Sequence, residues 1–339
     1  MRKAVRTPAG LGRGVPWWVS AAGAAVVPGA LLGILVVLGV YAWPSVLWNG
    51  LAFFTGKTWS LGNLYGSGVV RRFGQVALQG AAFGALPYLV ATLVSSLLAL
   101  ALATVVGVGV AVALAERAPR AWGSVLGFFV ELLAGVPSVV FGLWGLMVVA
   151  PWIQDEAGPW IARLGGWVPW LRGPVTAGTG LLAAVLVLAV MLLPLIASLG
   201  RDALRRVPAD LRDQGRALGL TEWEILRDLV LPEAAPGILG AVVLAFGRAV
   251  GETMAVLMVS GGGSGLPTSI FSPVTTMAAA IVADLDSALT DPTGMAVHAL
   301  AELAVVLLVI SVLVNLVAPL AGRGASVARA VLGPRGEGR

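Results

Sequence analysis

The chain has 339 residues, of which 58% are hydrophobic and only 12% charged, and its mean hydropathy is +0.93. Soluble domains carry about 25% charged residues, so a water-soluble globular fold is excluded and lipid is the natural solvent for most of the chain. The lack of cysteine excludes disulfides, thiolate metal sites and cysteine nucleophiles, and a single histidine, His298, argues against a histidine-based metal centre.

Residues 1–18 carry Arg2, Lys3, Arg6 and Arg13 and read as a cytoplasmic N-terminal segment. A crossing needs about 20 mostly apolar residues, and six stretches qualify: 19–43, 86–114, 123–150, 175–199, 236–261 and 296–320. The first is too long for a signal-peptide core and is taken as an uncleaved span. Such long continuous runs fit helices, not barrel strands. The expectation is an all-α polytopic membrane protein of six transmembrane helices over 19–320, with a cytoplasmic tail at 321–339. The connections 44–85 and 262–295, rich in Gly, Pro, Ser and Thr, are expected to form short helices and turns on the outer surface.

Loop charge gives the orientation. With the N-terminus in the cytoplasm, sixteen Lys and Arg fall in inner segments and five in outer ones (Lys57, Arg71, Arg72, Arg163, Arg172), with Arg248 alone inside a span. Both termini are therefore expected to be cytoplasmic. The net charge of +5 follows from topology and implies no nucleic-acid partner. Trp17, Trp18 and Trp122 fall at inner rims, and Trp43, Trp152, Trp167 and Trp170 at outer rims, as an aromatic belt requires.

Several short patterns carry less. Gly56–Lys57–Thr58 ends like a phosphate-binding loop, but Leu51 stands where that loop needs glycine, and no strand-to-helix context surrounds it. Gly107 and Gly109 read as sites of close helix approach. Thr92, Ser95 and Ser96 lie within about a turn of one another on the second span. Two readings stand for them: hydroxyls bonded to backbone or to a neighbouring helix, or the lining of a polar pathway. Glu131 and Glu302 read as structural or rim residues, with His298 one turn before Glu302 as a local partner.

The most charged segment, about 200–235, includes DQGRALGLTEWEILRDLVLP. It reads as two helices broken at Gly219, the second opened by a Thr221–Glu224 capping box. Trp223, Leu226, Leu229 and Val230 give that helix an apolar face, and Pro232 is expected to end it and launch the fifth span. An apolar face on a polar loop fits a docking surface for another protein, or a helix lying on the bilayer.

This loop resembles that of ABC-importer permeases, whose pattern opens on Glu-Ala-Ala and closes on Leu-Pro. Asp213, Gln214 and Gly215 stand at the opening triplet and depart from it, whereas Gly219, Leu231 and Pro232 match. GRAVGETMAVLMVSG (Gly247–Gly261) and ELLAGVPSVVFGLWG (Glu131–Gly145) are similar to the C-type permease subunit of phosphate-specific ABC importers. The A-type sister typically reads Gly-Glu-Thr-Ala-Pro where this chain has Gly251–Glu252–Thr253–Met254–Ala255. The resemblance implies a type I ABC-importer permease in the inner membrane, moving phosphate inward by alternating access. It also implies four kinds of partner: an A-type sister permease, an ATPase dimer that uses ATP and Mg2+, an extracytoplasmic phosphate-binding protein, and membrane lipid. The chain itself is then not an enzyme and binds no cofactor. It further implies that Asp213, Gly219, Thr221, Trp223, Glu224, Leu231 and Pro232 form the coupling surface, and that Arg248, Glu252 and Thr253 lie on the phosphate route. Sulfate or molybdate as substrate, an A-type identity, an intramembrane enzyme and a purely structural subunit are the alternatives.

A charge at the bilayer centre costs about 2.5–3.5 kcal/mol on insertion scales, so Arg248 and Glu252 need a reason. Their i,i+4 spacing in the fifth span places both side chains on one helix face. They then form an ion pair that registers neighbouring helices, a fork that receives an oxyanion, or both.

Overall fold

The computed structural model describes residues 17–63, 68–175 and 177–331. The basic N-terminal cluster and the last eight residues of the tail lie outside the described residues. The chain runs α1 (Trp17–Asn49), α2 (Ala52–Thr55), β1 (Trp59–Ser60), β2 (Val69–Arg72), β3 (Gln75–Leu78), β4 (Ala82–Phe83) and α3 (Leu86–Arg117). It continues with α4 (Arg120–Ala134), α5 (Ser138–Leu164), α6 (Leu181–Arg205), α7 (Ala209–Ala217) and α8 (Glu222–Val250). It closes with α9 (Met254–Val259), α10 (Met277–Leu289) and α11 (Met295–Val331). Six helices among the described residues are long and apolar enough to cross a membrane: α1, α3, α5, α6, α8 and α11.

Three sequence expectations change. The third crossing is not one helix over 123–150, because Gly135–Val136–Pro137 separates α4 from α5. Proline lacks the N–H a helix needs and biases the residue before it toward extended backbone. The fifth helix ends at Val250, not near 261, and α9 is a separate short piece. Pro232 does not end the loop helix either. A π-helical turn over Ile225–Val230, in which Leu231 N–H reaches back five residues to the Leu226 carbonyl, carries α8 unbroken from the loop into the fifth crossing.

The helix α6 is central, with Leu181, Leu188, Leu192 and Ile196 fully buried. Its tight contact with α3 follows from small side chains: a Cβ on Gly107 would stand 3.0 Å from Ile196, and one on Gly200 3.1 Å from Ala111. Gly109 has nothing within 4 Å and takes no part in this packing.

The connection 44–85 holds two antiparallel strand pairs, β1 with β4 and β2 with β3, in addition to the short helix and turns expected there. At the β2–β3 turn Phe73 and Gly74 have φ of 49° and 77°, positive at both positions as a tight type I′ hairpin requires. Gly56 lies against Gly84 between α2 and β1, which is not the setting of a phosphate-binding loop. This hairpin end of the bundle packs on α1, α10 and α11 through Trp48, Phe83, Ala288 and Met295. The opposite, loop end is closed by Ala111, Leu204, Val207, Ile225, Leu226 and Val230.

Polar contacts tie α1 to α11. His298 Nδ1 donates to the Tyr41 carbonyl at 2.7 Å, and the Ser45 hydroxyl donates to Glu302 at 2.6 Å. The expected local pair of His298 with Glu302 is therefore replaced by two separate bonds to α1.

Candidate functional site

The helix α8 ends at Val250 because side chains take over backbone partners there. Thr253 Oγ1 donates to the Gly251 carbonyl at 3.3 Å, and Ala255 N–H donates to Glu252 Oε1 at 3.4 Å. Local bonds of this kind compete with helix continuation. Glu252 is thus not one helical turn beyond Arg248, and among the described residues no ion pair within 4.0 Å joins the two. The expected pair is corrected: Glu252 is a half-buried cap on α9, and Arg248 is free of it.

Arg248 is exposed. It shares a stripe of α8 with Gly237 and Leu244, all exposed and on one helical face. One residue before it, Gly247 brings α8 onto α11, where a Cβ would stand 3.0 Å from the Asn315 side chain.

The second break lies beside the first. A Cβ on Gly142 of α5 would meet Ala255 at 3.0 Å, and one on Gly145 would meet Val259 at 2.8 Å. The helices α5 and α9 therefore run side by side in the same direction, with the start of α9 about one turn along α5. The face of α4 and α5 bearing Phe128, Phe129, Leu132 and Met147 is exposed, uncovered by the other described residues.

The hydroxyl group of the second span is placed elsewhere. Thr92 is 1% exposed; it donates to the Tyr88 carbonyl at 2.7 Å and accepts the Met277 N–H at 2.9 Å. Ser95 donates to the Thr92 carbonyl at 3.2 Å, and Ser96 is buried with no hydrogen-bond partner. Thr92 thus anchors the start of α10. The structure does not bring these three onto the exposed stripe of Arg248.

The loop keeps its predicted plan. Gly219 has φ of +79°, a left-handed turn between α7 and α8, and both bonds of the Thr221–Glu224 capping box form. Its apolar face is corrected, because Ile225, Leu226 and Val230 are buried against the chain's own core and Leu229 is half-buried. What remains outward is Leu218, 80% exposed, and Trp223, 56% exposed. Around them stand Asp213, Arg216 and Glu222, with Arg216 bonded to Asp213 at 3.1 Å and to Glu222 at 2.9 Å. The Glu222 bond holds the Arg216 guanidinium above its ordinary range. Leu231 and Pro232, half-buried, lie behind this surface.

The departure at the opening triplet has a packing reason at one position. A Cβ on Gly215 would stand 2.9 Å from both Ile225 and Leu229, so glycine lets α7 rest directly on α8.

Sequence reasoning missed two ion pairs. Arg212 donates to Glu116 at 2.6 Å and to the Val207 and Leu204 carbonyls, fastening the loop to α3. Arg201, 9% exposed, pairs with Glu131 of α4 at 2.6 Å. The signal was Glu131, a charge inside the apolar motif ELLAGVP.

Among the described residues no group of three or more His, Cys, Asp or Glu is placed to hold a metal.

The family described as binding-protein-dependent transport system inner membrane component matches residues 106–323. The chain is 46% identical over 305 residues to the phosphate transport system permease protein PstC 1 of Mycobacterium tuberculosis, covering 89% of this chain and 90% of that protein. Identity to the phosphate transport system permease protein PstC of Mesorhizobium japonicum is 35% over 289 residues, covering 84% and 82%. A solved structure of the MetNI methionine ABC transporter, inward facing, is 21% identical with a TM-score of 0.49, over 69% of this chain and 93% of that one.

Proposed function

The chain belongs to the binding-protein-dependent transport inner membrane components and, within them, to the PstC phosphate permeases, and on that premise we propose that it carries inorganic phosphate inward by alternating access, with Arg248 receiving the anion. The observation that supports this role is the setting of Arg248: an exposed guanidinium on a membrane-crossing helix, just before a break, with no carboxylate among the described residues paired to it. Facing lipid, such a group would bear the full cost of an intramembrane charge. Facing a wet route, its fork matches phosphate oxygens. Glu252, at the break, lends negative charge that keeps anion affinity modest without pairing to Arg248. Thr253 shapes the same turn.

The uncovered face of α4 and α5 fits the A-type sister permease, which would complete the route. Leu218 and Trp223, ringed by Asp213, Arg216 and Glu222, present the surface for a separate ATPase that uses ATP and Mg2+. In this reading Gly219, Thr221 and Glu224 set the angle of that surface. The loop end is cytoplasmic, in keeping with the loop charge bias. The hairpin end then faces the extracytoplasmic binding protein.

The test is uptake of radiolabelled phosphate by the complex of this chain with its sister permease, ATPase and binding protein in liposomes. Phosphate should stimulate ATP hydrolysis, while sulfate and molybdate should not. Stimulation by sulfate or molybdate in place of phosphate would overturn the substrate.

A further inference from the structure

The helix α4 is weakly held. Val125, Phe128, Phe129, Leu132 and Leu133 are exposed along it, and Gly135–Pro137 interrupts its link to α5. Among the described residues one charged contact joins it to the central helix: Arg201 Nη2 donates to Glu131 Oε1 at 2.6 Å. Gly127, one turn before Glu131, makes room for this, because a Cβ there would overlap Arg201 Nη1. The seat is made of a glycine and a carboxylate at i,i+4, on the face that meets α6.

The pair is not built like permanent scaffolding, in which both charges are sealed and fully hydrogen-bonded. The Glu131 side chain is 57% exposed. Arg201 Nε is buried without a hydrogen bond, and the Asp202 carboxylate stands 3.6 Å from it. Beyond the break, α5 lies on α9, which starts at Met254, just after Glu252 and Thr253. The angle of α4 therefore bears on the segment that follows Arg248.

We propose that Arg201 and Glu131 form a latch that holds the loop-end half of the third crossing against α6 in this conformation. The latch opens about Gly135–Pro137 when the transporter changes state. Both are positioning residues, and the proposal rests on the transport reading above. Arg201 brings no contact to phosphate. It sets where α4, and through it the start of α5, stands.

The test uses the full complex in liposomes, with spin labels at Val125→Cys and Arg205→Cys in a chain that has no cysteine of its own. The label distance should shift by roughly one helical turn, ~5 Å, between the nucleotide-free and vanadate-trapped states. Glu131→Gln should move the nucleotide-free population toward the trapped distance and lower phosphate imported per ATP by roughly five-fold or more. Gly127→Val keeps both charges but fills the seat of the guanidinium, and should do the same. Exchanging the charges, Glu131→Arg with Arg201→Glu, should restore both readouts. The latch is overturned if the labelled parent shows one distance in both states, a measurement that stands even where a variant fails to assemble. It is also overturned if Glu131→Gln and Gly127→Val keep the parent distances and coupling. A labelled parent that shifts with nucleotide yet imports no phosphate would refute the transport reading and leave the latch standing.

Discussion

Replacing Arg248 with glutamine separates anion reception from scaffolding in a single change. Had Arg248 and Glu252 been paired, the variant would leave a stripped carboxylate, and such breakage costs about 3–5 kcal/mol whatever the function. The structure removes that ambiguity, because Glu252 is outside the helix and takes the Ala255 N–H instead. An exposed substitution away from such networks changes stability by about 0.5 kcal/mol or less, so Arg248→Gln should assemble at parental abundance with its ATPase. A hydrogen bond to a charged group contributes about 1.5–3 kcal/mol. A fork offering two of them to phosphate supplies at least about 3 kcal/mol in the loaded state, and losing that lowers uptake roughly a hundred-fold. Arg248→Lys keeps the charge and loses the fork, so it should fall between glutamine and the parent. The double variant Arg248→Gln with Glu252→Gln should likewise retain normal abundance and import far less phosphate than the parent. The assay is initial phosphate uptake per assembled complex, with ATPase co-purification as the control. Uptake within about three-fold of the parent, well short of the hundred-fold that a lost fork implies, would refute the anion role. Collapse of abundance would refute the claim that nothing structural depends on this guanidinium.

Other outcomes follow from the same geometry. Gly219→Trp forces a side chain into a left-handed turn at a backbone cost of about 1–2 kcal/mol; the protein should insert normally, while ATP hydrolysis separates from uptake, and normal uptake would remove the loop from coupling. In intact cells an impermeant thiol reagent should label Ser60→Cys, at the hairpin end, and leave Leu218→Cys unlabelled; the reverse pattern would invert the orientation. Thr92→Val leaves the buried Met277 N–H without its acceptor and should destabilise the protein by about 1–3 kcal/mol, read as a lower Tm, with uptake per folded complex unchanged. A selective loss of uptake at full stability would return Thr92 to the pathway.

The spans were legible because their signal is length and apolarity, which a bilayer fixes almost independently of packing. Their ends were less so. The break after Val250 depends on Glu252 and Thr253 bonding to nearby backbone, and Glu-Thr after glycine also fits a continuing helix. The break at Gly135–Pro137 was written openly in the proline, yet the apolar run on both sides outweighed it. Pro232 misled in the opposite sense, since a π-helical turn accommodated it. Proline therefore marks a place where hydrogen bonding must change, and tertiary context decides whether the helix stops there.

The candidate site shows the same division. Gly219 and the Thr221–Glu224 box were readable because their bonds lie within a few residues of one another. The apolar face of the loop helix was read correctly as a face and wrongly as an outward one. Periodicity says which residues share a side, but only the bundle says that Leu226 and Val230 meet Leu204 and Ala111. Arg201 and Glu131, 70 positions apart, left no local pattern at all. What the sequence did carry was the anomaly of Glu131 in an apolar run, as with Arg248. A charge inside an apolar run bears a desolvation cost that only a partner, a wet route or a change of state can offset. Among the described residues Glu131 has a partner and Arg248 has none, and that difference is why one is assigned to conformation and the other to the anion.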